Sequence, residues 1–127
     1  MFGSAKLSVI PTTSTIASHL PRAVGLAQAI ERRRGHAQPA AGAIAARRNA
    51  SPPEEWPEDA IVVCSFGDAS INHSVAVGAF NTAGYLDHQG TRVPVLFICE
   101  DNGLGISVPS PAGCAAVPPP SRPARAR

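Results

Sequence analysis

The sequence predicts an α/β fold built on parallel strands, and three observations carry that expectation. Ile61-Val62-Val63-Cys64-Ser65-Phe66 and Val95-Leu96-Phe97-Ile98-Cys99 are apolar runs of strand length. Each ends in a turn with an oxygen ligand, Gly67-Asp68-Ala69-Ser70 after the first and Glu100-Asp101-Asn102-Gly103 after the second. Between them, Ser70 to Gly84 has apolar residues at Val75, Ala76, Ala79, Phe80 and Ala83, the spacing of one helix face. Strand, helix and strand in that order make a βαβ unit. Its right-handed crossover leaves the strands parallel and brings Asp68 and Asn102 to the same carboxyl edge, where open α/β sheets bind ligands.

The other elements follow in chain order. A helix is expected from about Pro21 to Gly35, with Arg32-Arg33-Arg34 complementing the dipole at its end and Gly35 terminating it. That structural use of the three arginines is preferred here to a polyanion patch. Gly35 to Pro57 is rich in Ala and Pro and reads as a surface loop, with at most a short helical turn at Ala40 to Arg48 and Trp56 packing to anchor its end. Asp68 or Ser70 is available to cap the helix after the first strand. Leu86 to Arg92 reads as a polar loop ahead of the second strand. After Gly113 the Pro- and Arg-rich run to Arg127 lacks helix and ladder donors at its prolines, so residues 114–127 are expected to be a disordered tail. No internal repeat is visible.

The chemistry of the carboxyl edge follows from its residue types. A carboxylate at Asp68, an amide oxygen at Asn102 and the N-terminal end of a helix suit a magnesium ion bridging to phosphates. Magnesium takes hard oxygen ligands and seldom has an all-protein cage. This is the makeup of a diphosphate-cofactor site. Taken alone, Gly67-Asp68 favours a plain strand-to-helix turn, because both residues favour turns for backbone reasons.

The whole pattern is more specific. Gly67-Asp68-Ala69, followed after a helix and a strand by Asp101-Asn102-Gly103, resembles the thiamine-diphosphate motif, Gly-Asp-Gly and then Asn after a spacer. The segment Thr13-Ser14-Thr15-Ile16-Ala17-Ser18-His19-Leu20-Pro21-Arg22-Ala23-Val24-Gly25 is similar to the one before that motif in the alpha subunit of the decarboxylating component of branched-chain 2-oxo acid dehydrogenase complexes. Asn102-Gly103-Leu104-Gly105-Ile106-Ser107-Val108-Pro109 resembles the segment that closes the metal loop in that family. The resemblance covers about residues 7 to 113, so residues 1–113 are expected to form a partial thiamine-diphosphate-binding domain, with 35–57 as its variable loop. The implied fold is a fragment of the thiamine-diphosphate-binding α/β fold, a parallel sheet with flanking helices.

The resemblance also implies roles. Asp68, Asn102 and the backbone carbonyl of Leu104 would hold magnesium. Gly67, Ala69 and Ser70 would approach the diphosphate, Ser14 and Ile16 would line the cofactor, and Ile106 would sit against its aminopyrimidine ring. The family decarboxylates 2-oxo acids and passes the acyl fragment to the lipoyl group of an acyltransferase, with the cofactor supplying the difficult chemistry. Its aminopyrimidine-activating glutamate comes from a beta subunit or a fused beta half, and its histidine loop lies beyond the matching blocks. This chain, on its own, is therefore expected to be inactive and no catalytic side chain is assigned. A complete alpha subunit is much larger than 127 residues, and the end after Gly113 has no likeness to it, which points to truncation or a change of reading frame near Ala112. Branched-chain 2-oxo acids are the expected substrates, with pyruvate or acetoin as the alternatives. A non-catalytic remnant or interaction module is the alternative of a different class.

Four positions depart from the family pattern or invite a second role. Ala69 stands where the motif has its second glycine, which requires a negative φ. Glu100 stands where branched-chain alpha subunits typically place an arginine near the diphosphate, so it either faces that group or turns away to pair with a base such as Arg92. His73 lies where a contact with cofactor or substrate and a capping or solvated position are equally compatible with the sequence. His19 sits near the cofactor-lining segment, and His36 and His88 are expected in exposed loops.

Composition narrows the classes. The net charge is +2, with arginines at 122, 125 and 127 in the tail, and only 5% of residues are aromatic, which argues against a nucleic-acid surface. Cys64, Cys99 and Cys114 lack the Cys-x-x-Cys spacing of a zinc site and are odd in number, so no disulfide framework is indicated. Cys64 and Cys99 are read as small core hydrophobes in a reducing cytoplasm. No stretch has the length of a membrane span.

Overall fold

Val62–Gly67 (β1) and Val95–Glu100 (β2) pair in parallel over their whole length, from Val62 against Val95 to Gly67 against Glu100, in a computed structural model that describes residues 3–35 and 56–111. The expected βαβ unit is present, with Ser74–His88 (α2) as the crossover helix. Because the strands end in register, the turns that follow them leave from one edge.

A longer helix, His19–Gly35 (α1), precedes the unit and starts two residues before the expected Pro21. Its buried residues Leu20, Ala23, Val24, Ala27 and Ile30 recur at helical spacing and join β1 and α2 in one core. Two side chains pin α1 antiparallel to β1. His19 Nε2 lies 2.9 Å from the Ser65 carbonyl at the helix head, and Arg34 donates from Nη2 to the Ala60 carbonyl at 2.6 Å near its tail. Arg32, Arg33 and Arg34 occupy the last turn, as expected, and Arg34 also contacts Glu31 at 3.4 Å.

The core uses one face of the sheet. Val62, Cys64 and Phe66 of β1 are buried, and Val95, Phe97 and Cys99 of β2 pack beside them. Phe66, Phe80 and Phe97 form a ring cluster with centroids 5.1 to 6.4 Å apart in tilted or edge-on geometry. Ala76 and Ala79 let α2 approach closely. On the opposite face Val63, Leu96 and Ile98 stay exposed, although parallel strands ordinarily carry cover on both faces. The flanking helices among the described residues thus lie on one side. Cys64 and Cys99 are the expected small hydrophobes of the covered side, and burial pushes the Cys64 thiol pKa up.

Several expectations are corrected. The crossover helix runs from Ser74 to His88 and not from Ser70 to Gly84, because a short 3-10 turn, Asp68–Ser70, intervenes. Neither Asp68 nor Ser70 caps it. Ser70 donates its hydroxyl back to the Gly67 carbonyl at 2.7 Å, and the cap is His73, whose Nδ1 accepts from the Val75 N–H at 3.3 Å. The helix continues through Leu86, so the loop expected from there is shorter, and His88 is an exposed last helical residue. It stops at Gly90, whose φ of +82° allows paired bonds from Gly90 N–H to Asp87 and from Thr91 N–H to Leu86, a Schellman ending. Trp56 is 39% exposed and is not among the residues packed in or against the core. The expectations for the loop at 36–55, His36 included, and for the tail with Cys114 lie outside the described residues.

Candidate functional site at the carboxyl edge

The in-out alternation of β1 continues into the turn behind it, so Asp68 follows Val62, Cys64 and Phe66 to the inside and is 1% exposed. Its Oδ2 accepts a short hydrogen bond from the Ser110 hydroxyl. Its Oδ1 is buried with no hydrogen-bond partner among the described residues. The Ser110 bond holds the carboxyl pKa below the usual range, helped by the backbone at Ala69 and Asn102 and opposed by burial, so the group is ionised near neutral pH. A buried anionic oxygen without a partner is costly, and a hard cation relieves that cost.

The second turn folds over the first. Asn102 Oδ1 accepts from the Leu104 N–H at 2.9 Å, and Gly103 takes a φ of +71°, which only glycine adopts freely. Leu104–Gly105 (β3) and Val108–Pro109 (β4) then form a small antiparallel hairpin that no local sequence signal marks. The Ser110 N–H closes it on the Gly103 carbonyl at 2.9 Å. At its tip Ile106 has a φ of +58° and is 103% exposed, a strained position for a β-branched residue. The hairpin presses on the 3-10 turn, and a Cβ at Gly105 would lie 2.9 Å from the Ala69 Cβ. Ala69 itself keeps a negative φ, as its replacement of a motif glycine requires.

Gly67 has an ordinary φ of −82°, and the space where a side chain would project is open. Gly67, Asp68, Ala69, Asn102 and Leu104 therefore converge on one edge. Ser70 is beside them, with its hydroxyl committed to Gly67. Ser14 and Ile16 are exposed in the turn that leads into α1, whose head the His19 bond sets beside the end of β1. Ala17, buried with a φ of +59°, shapes that turn. His73 serves as a cap, and His19 as a clamp on β1. Glu100 is exposed and makes no ion pair among the described residues, so of its two alternatives the pairing with Arg92 is absent. As register partner of Gly67, it stands on the same sheet face as that open space. Burial, and then the charges of Asp101, Asp68 and Glu100, raise the Cys99 pKa and keep its thiol protonated. No group of three or more His, Cys, Asp or Glu that could hold a metal occurs among the described residues, so side-chain anions alone do not form a cage. No described helix is long and apolar enough to cross a membrane.

Ser110 and Gly105 are the residues that sequence reasoning missed. Ser110 lies 42 positions from its partner Asp68 and carries no local signal. The alternation of Gly103 and Gly105 around Leu104 was the available hint of a close backbone approach.

Fold and site together define an α/β unit that carries its functional groups at the carboxyl edge of parallel strands, on two turns that lock together. The chain belongs to the dehydrogenase E1 component family, whose model matches residues 1–126. It is 30% identical over 109 residues to the 2-oxoisovalerate dehydrogenase subunit alpha 2, mitochondrial, of Arabidopsis thaliana, covering 86% of this chain and 17% of that protein. Identity is 27% to the mitochondrial alpha subunit of Caenorhabditis elegans and 28% to that of Homo sapiens, each over 86% of this chain, with 19% and 18% of those proteins covered. The chain thus spans less than a fifth of the length of these relatives.

Proposed function

We propose that this chain supplies the magnesium and diphosphate side of a thiamine-diphosphate site in a 2-oxo acid dehydrogenase. The observation that carries the proposal is Asp68 Oδ1, an ionised, buried and unpartnered oxygen at the carboxyl edge. Asp68, the Asn102 side chain and the Leu104 carbonyl are assigned to the metal. Gly67 and Ala69 offer backbone to the diphosphate with no side chain in the way at Gly67, and Ser70 braces that turn through its bond to Gly67. Ser14 and Ile16 are assigned to the cofactor's flank. Ile106 is assigned to its aminopyrimidine, a role that suits a fully exposed apolar side chain held in a strained backbone.

When bound, thiamine diphosphate supplies the electron sink that decarboxylation of a 2-oxo acid needs. The residues of this chain bind and orient; none is assigned a proton transfer. A beta subunit or fused beta half is proposed to complete the site, and a lipoyl-bearing acyltransferase to accept the acyl group. The names of the relatives favour a branched-chain 2-oxo acid over pyruvate or acetoin. Those names place the relatives in mitochondria, whereas the free Cys64 and Cys99 fit any thiol-reducing compartment, for which we propose the cytoplasm.

The test is carbon dioxide release from branched-chain 2-oxo acids and from pyruvate with saturating magnesium and thiamine diphosphate. The chain alone is expected to be inactive, and the chain assembled with a beta subunit active on branched-chain acids. Activity of the chain alone, shown free of beta subunit, would mean that unrecognised catalytic groups are present. An assembled complex that binds no cofactor points to the non-catalytic alternative.

A further inference from the structure

We propose that Ser110 is a positioning residue: its hydroxyl holds Asp68 Oδ2 so that Oδ1 alone faces the metal, and the same bond latches the metal-loop hairpin in place. The inference rests on the reading of this edge as a metal site and adds a residue that neither the motif nor the family resemblance marks.

The Asp68 carboxylate is held at one oxygen only. Rotation about its terminal torsion is broad and nearly two-fold, so an unrestrained aspartate presents either oxygen or both. The Ser110 hydroxyl has one proton to donate and gives it to Oδ2. Oδ1 is left buried and unpartnered, committed in advance to a single direction. Ser110 also donates its backbone N–H to the Gly103 carbonyl at 2.9 Å, so the residue that grips Asp68 closes the loop containing Leu104. Gly105 seats that loop against Ala69. Ligands from the turn after β1 and from the turn after β2 therefore reach the metal as one assembled unit. Orienting a ligand through a second hydrogen-bonded residue is a common way to raise metal affinity, and its loss typically costs 10- to 100-fold.

The experiment uses the full chain assembled with its beta partner, with thiamine diphosphate and Mn²⁺ as a spin-active stand-in for magnesium, reading free Mn²⁺ by electron paramagnetic resonance. Ser110→Thr keeps the hydroxyl, and Ser110→Val has nearly the same shape without it. Ser110→Val is expected to weaken Mn²⁺ binding at least ~10-fold, with Ser110→Thr staying near wild type. A purely structural role would move both alike. Far-UV circular dichroism checks folding, and Ser110→Ala carries the same comparison should Ser110→Val perturb the fold. Asp68→Ala is the control that separates the two levels of inference. If it abolishes binding while Ser110→Val and Ser110→Ala match Ser110→Thr, the latch is wrong and the site stands. If wild type binds no Mn²⁺, or Asp68→Ala binds as wild type does, the site reading and the latch fall together.

Discussion

The two turns at the carboxyl edge do opposite things with similar chemistry. The turn after β1 is tight and inward: Asp68 is buried, Ser70 bonds Gly67, and three residues of 3-10 helix lead on toward α2. The turn after β2 is open and outward, a hairpin with exposed Asn102, Leu104 and Ile106. One turn stores a charge and the other covers it. They meet at two points, the Ser110–Asp68 hydrogen bond and the Gly105–Ala69 contact. A plain strand-to-helix turn needs neither contact, so the pairing of the turns supports the proposed ligand site over a plain chain reversal.

The largest effect should follow from emptying the inner turn. Asp68→Ala removes the proposed anionic ligand and the acceptor of the Ser110 bond together, so affinity for magnesium and thiamine diphosphate should fall by at least ~10-fold, the low end for lost metal-site groups. Calorimetric titration of the chain assembled with its beta partner measures this. The histidine at position 73, a helix cap, should matter far less in the same titration: His73→Ser supplies another cap and should leave affinity unchanged. Equal losses in both variants would erase the distinction between the turns.

How far this edge was legible in the sequence depends on the range of each interaction. The strands and their parallel pairing were readable because Ile61 to Phe66 and Val95 to Cys99 are continuous β-branched and apolar runs that need no distant partner to be recognised. Those runs also concealed something. Continuous apolarity suits burial on both faces, yet Val63, Leu96 and Ile98 lie on a face that the described residues leave open. The apolar spacing marks the crossover helix but starts it four residues early, since Asp68 and Ser70 are favoured cap types and His73 is not. In the structure Asp68 is turned to Ser110 and Ser70 to Gly67, so tertiary and turn bonds took both caps away. The helix end was signalled by Gln89-Gly90, a left-handed stop that outranks the polar composition of Leu86 to Arg92. The hairpin had no such signal, because its Ile106-Ser107 tip lacks the usual glycine or asparagine and is held by Ser110 and Asp68 from outside.

A smaller effect tests the second contact between the turns. Gly105→Ala puts a methyl group 2.9 Å from the Ala69 Cβ, with Val108 the next neighbour at 3.8 Å. The hairpin must shift, at a cost of about 1 kcal/mol, the low end for overpacking, because it is small and exposed. Magnesium and cofactor affinity should then fall about fivefold, this energy expressed as a ratio. Ala69→Gly in the same chain removes the opposing methyl, and the double variant Ala69→Gly/Gly105→Ala should regain wild-type affinity. Recovery in the double variant and loss in the single one would show that the effect arises at this one contact. A double variant as weak as Gly105→Ala would instead assign the effect to the backbone of Gly105.

The smallest effect concerns Glu100, which is at the end of β2 where the family resemblance leads one to expect arginine. Register places it opposite Gly67, on the face where Gly67 leaves open space, and no ion pair holds it elsewhere among the described residues. Its charge then adds to those of Asp68 and Asp101 at the edge that is proposed to receive a diphosphate. Reversing it with Glu100→Arg should tighten cofactor binding. The side chain is exposed, so each charge contributes at most about 1 kcal/mol, and a two- to fivefold gain is the expected size. Stability should change by less than about 0.5 kcal/mol, as for other surface substitutions. Salt provides the check on mechanism, because the gain should shrink as the screening length falls from ~10 Å at 0.1 M to ~3 Å at 1 M ionic strength. If the wild-type chain and the Glu100→Arg variant bind equally well at low salt, the glutamate faces away from the diphosphate and the outer turn carries no electrostatic part of the site. A gain that survives high salt would point to a direct bond from the new guanidinium to the ligand, a closer approach than the exposed position of Glu100 implies.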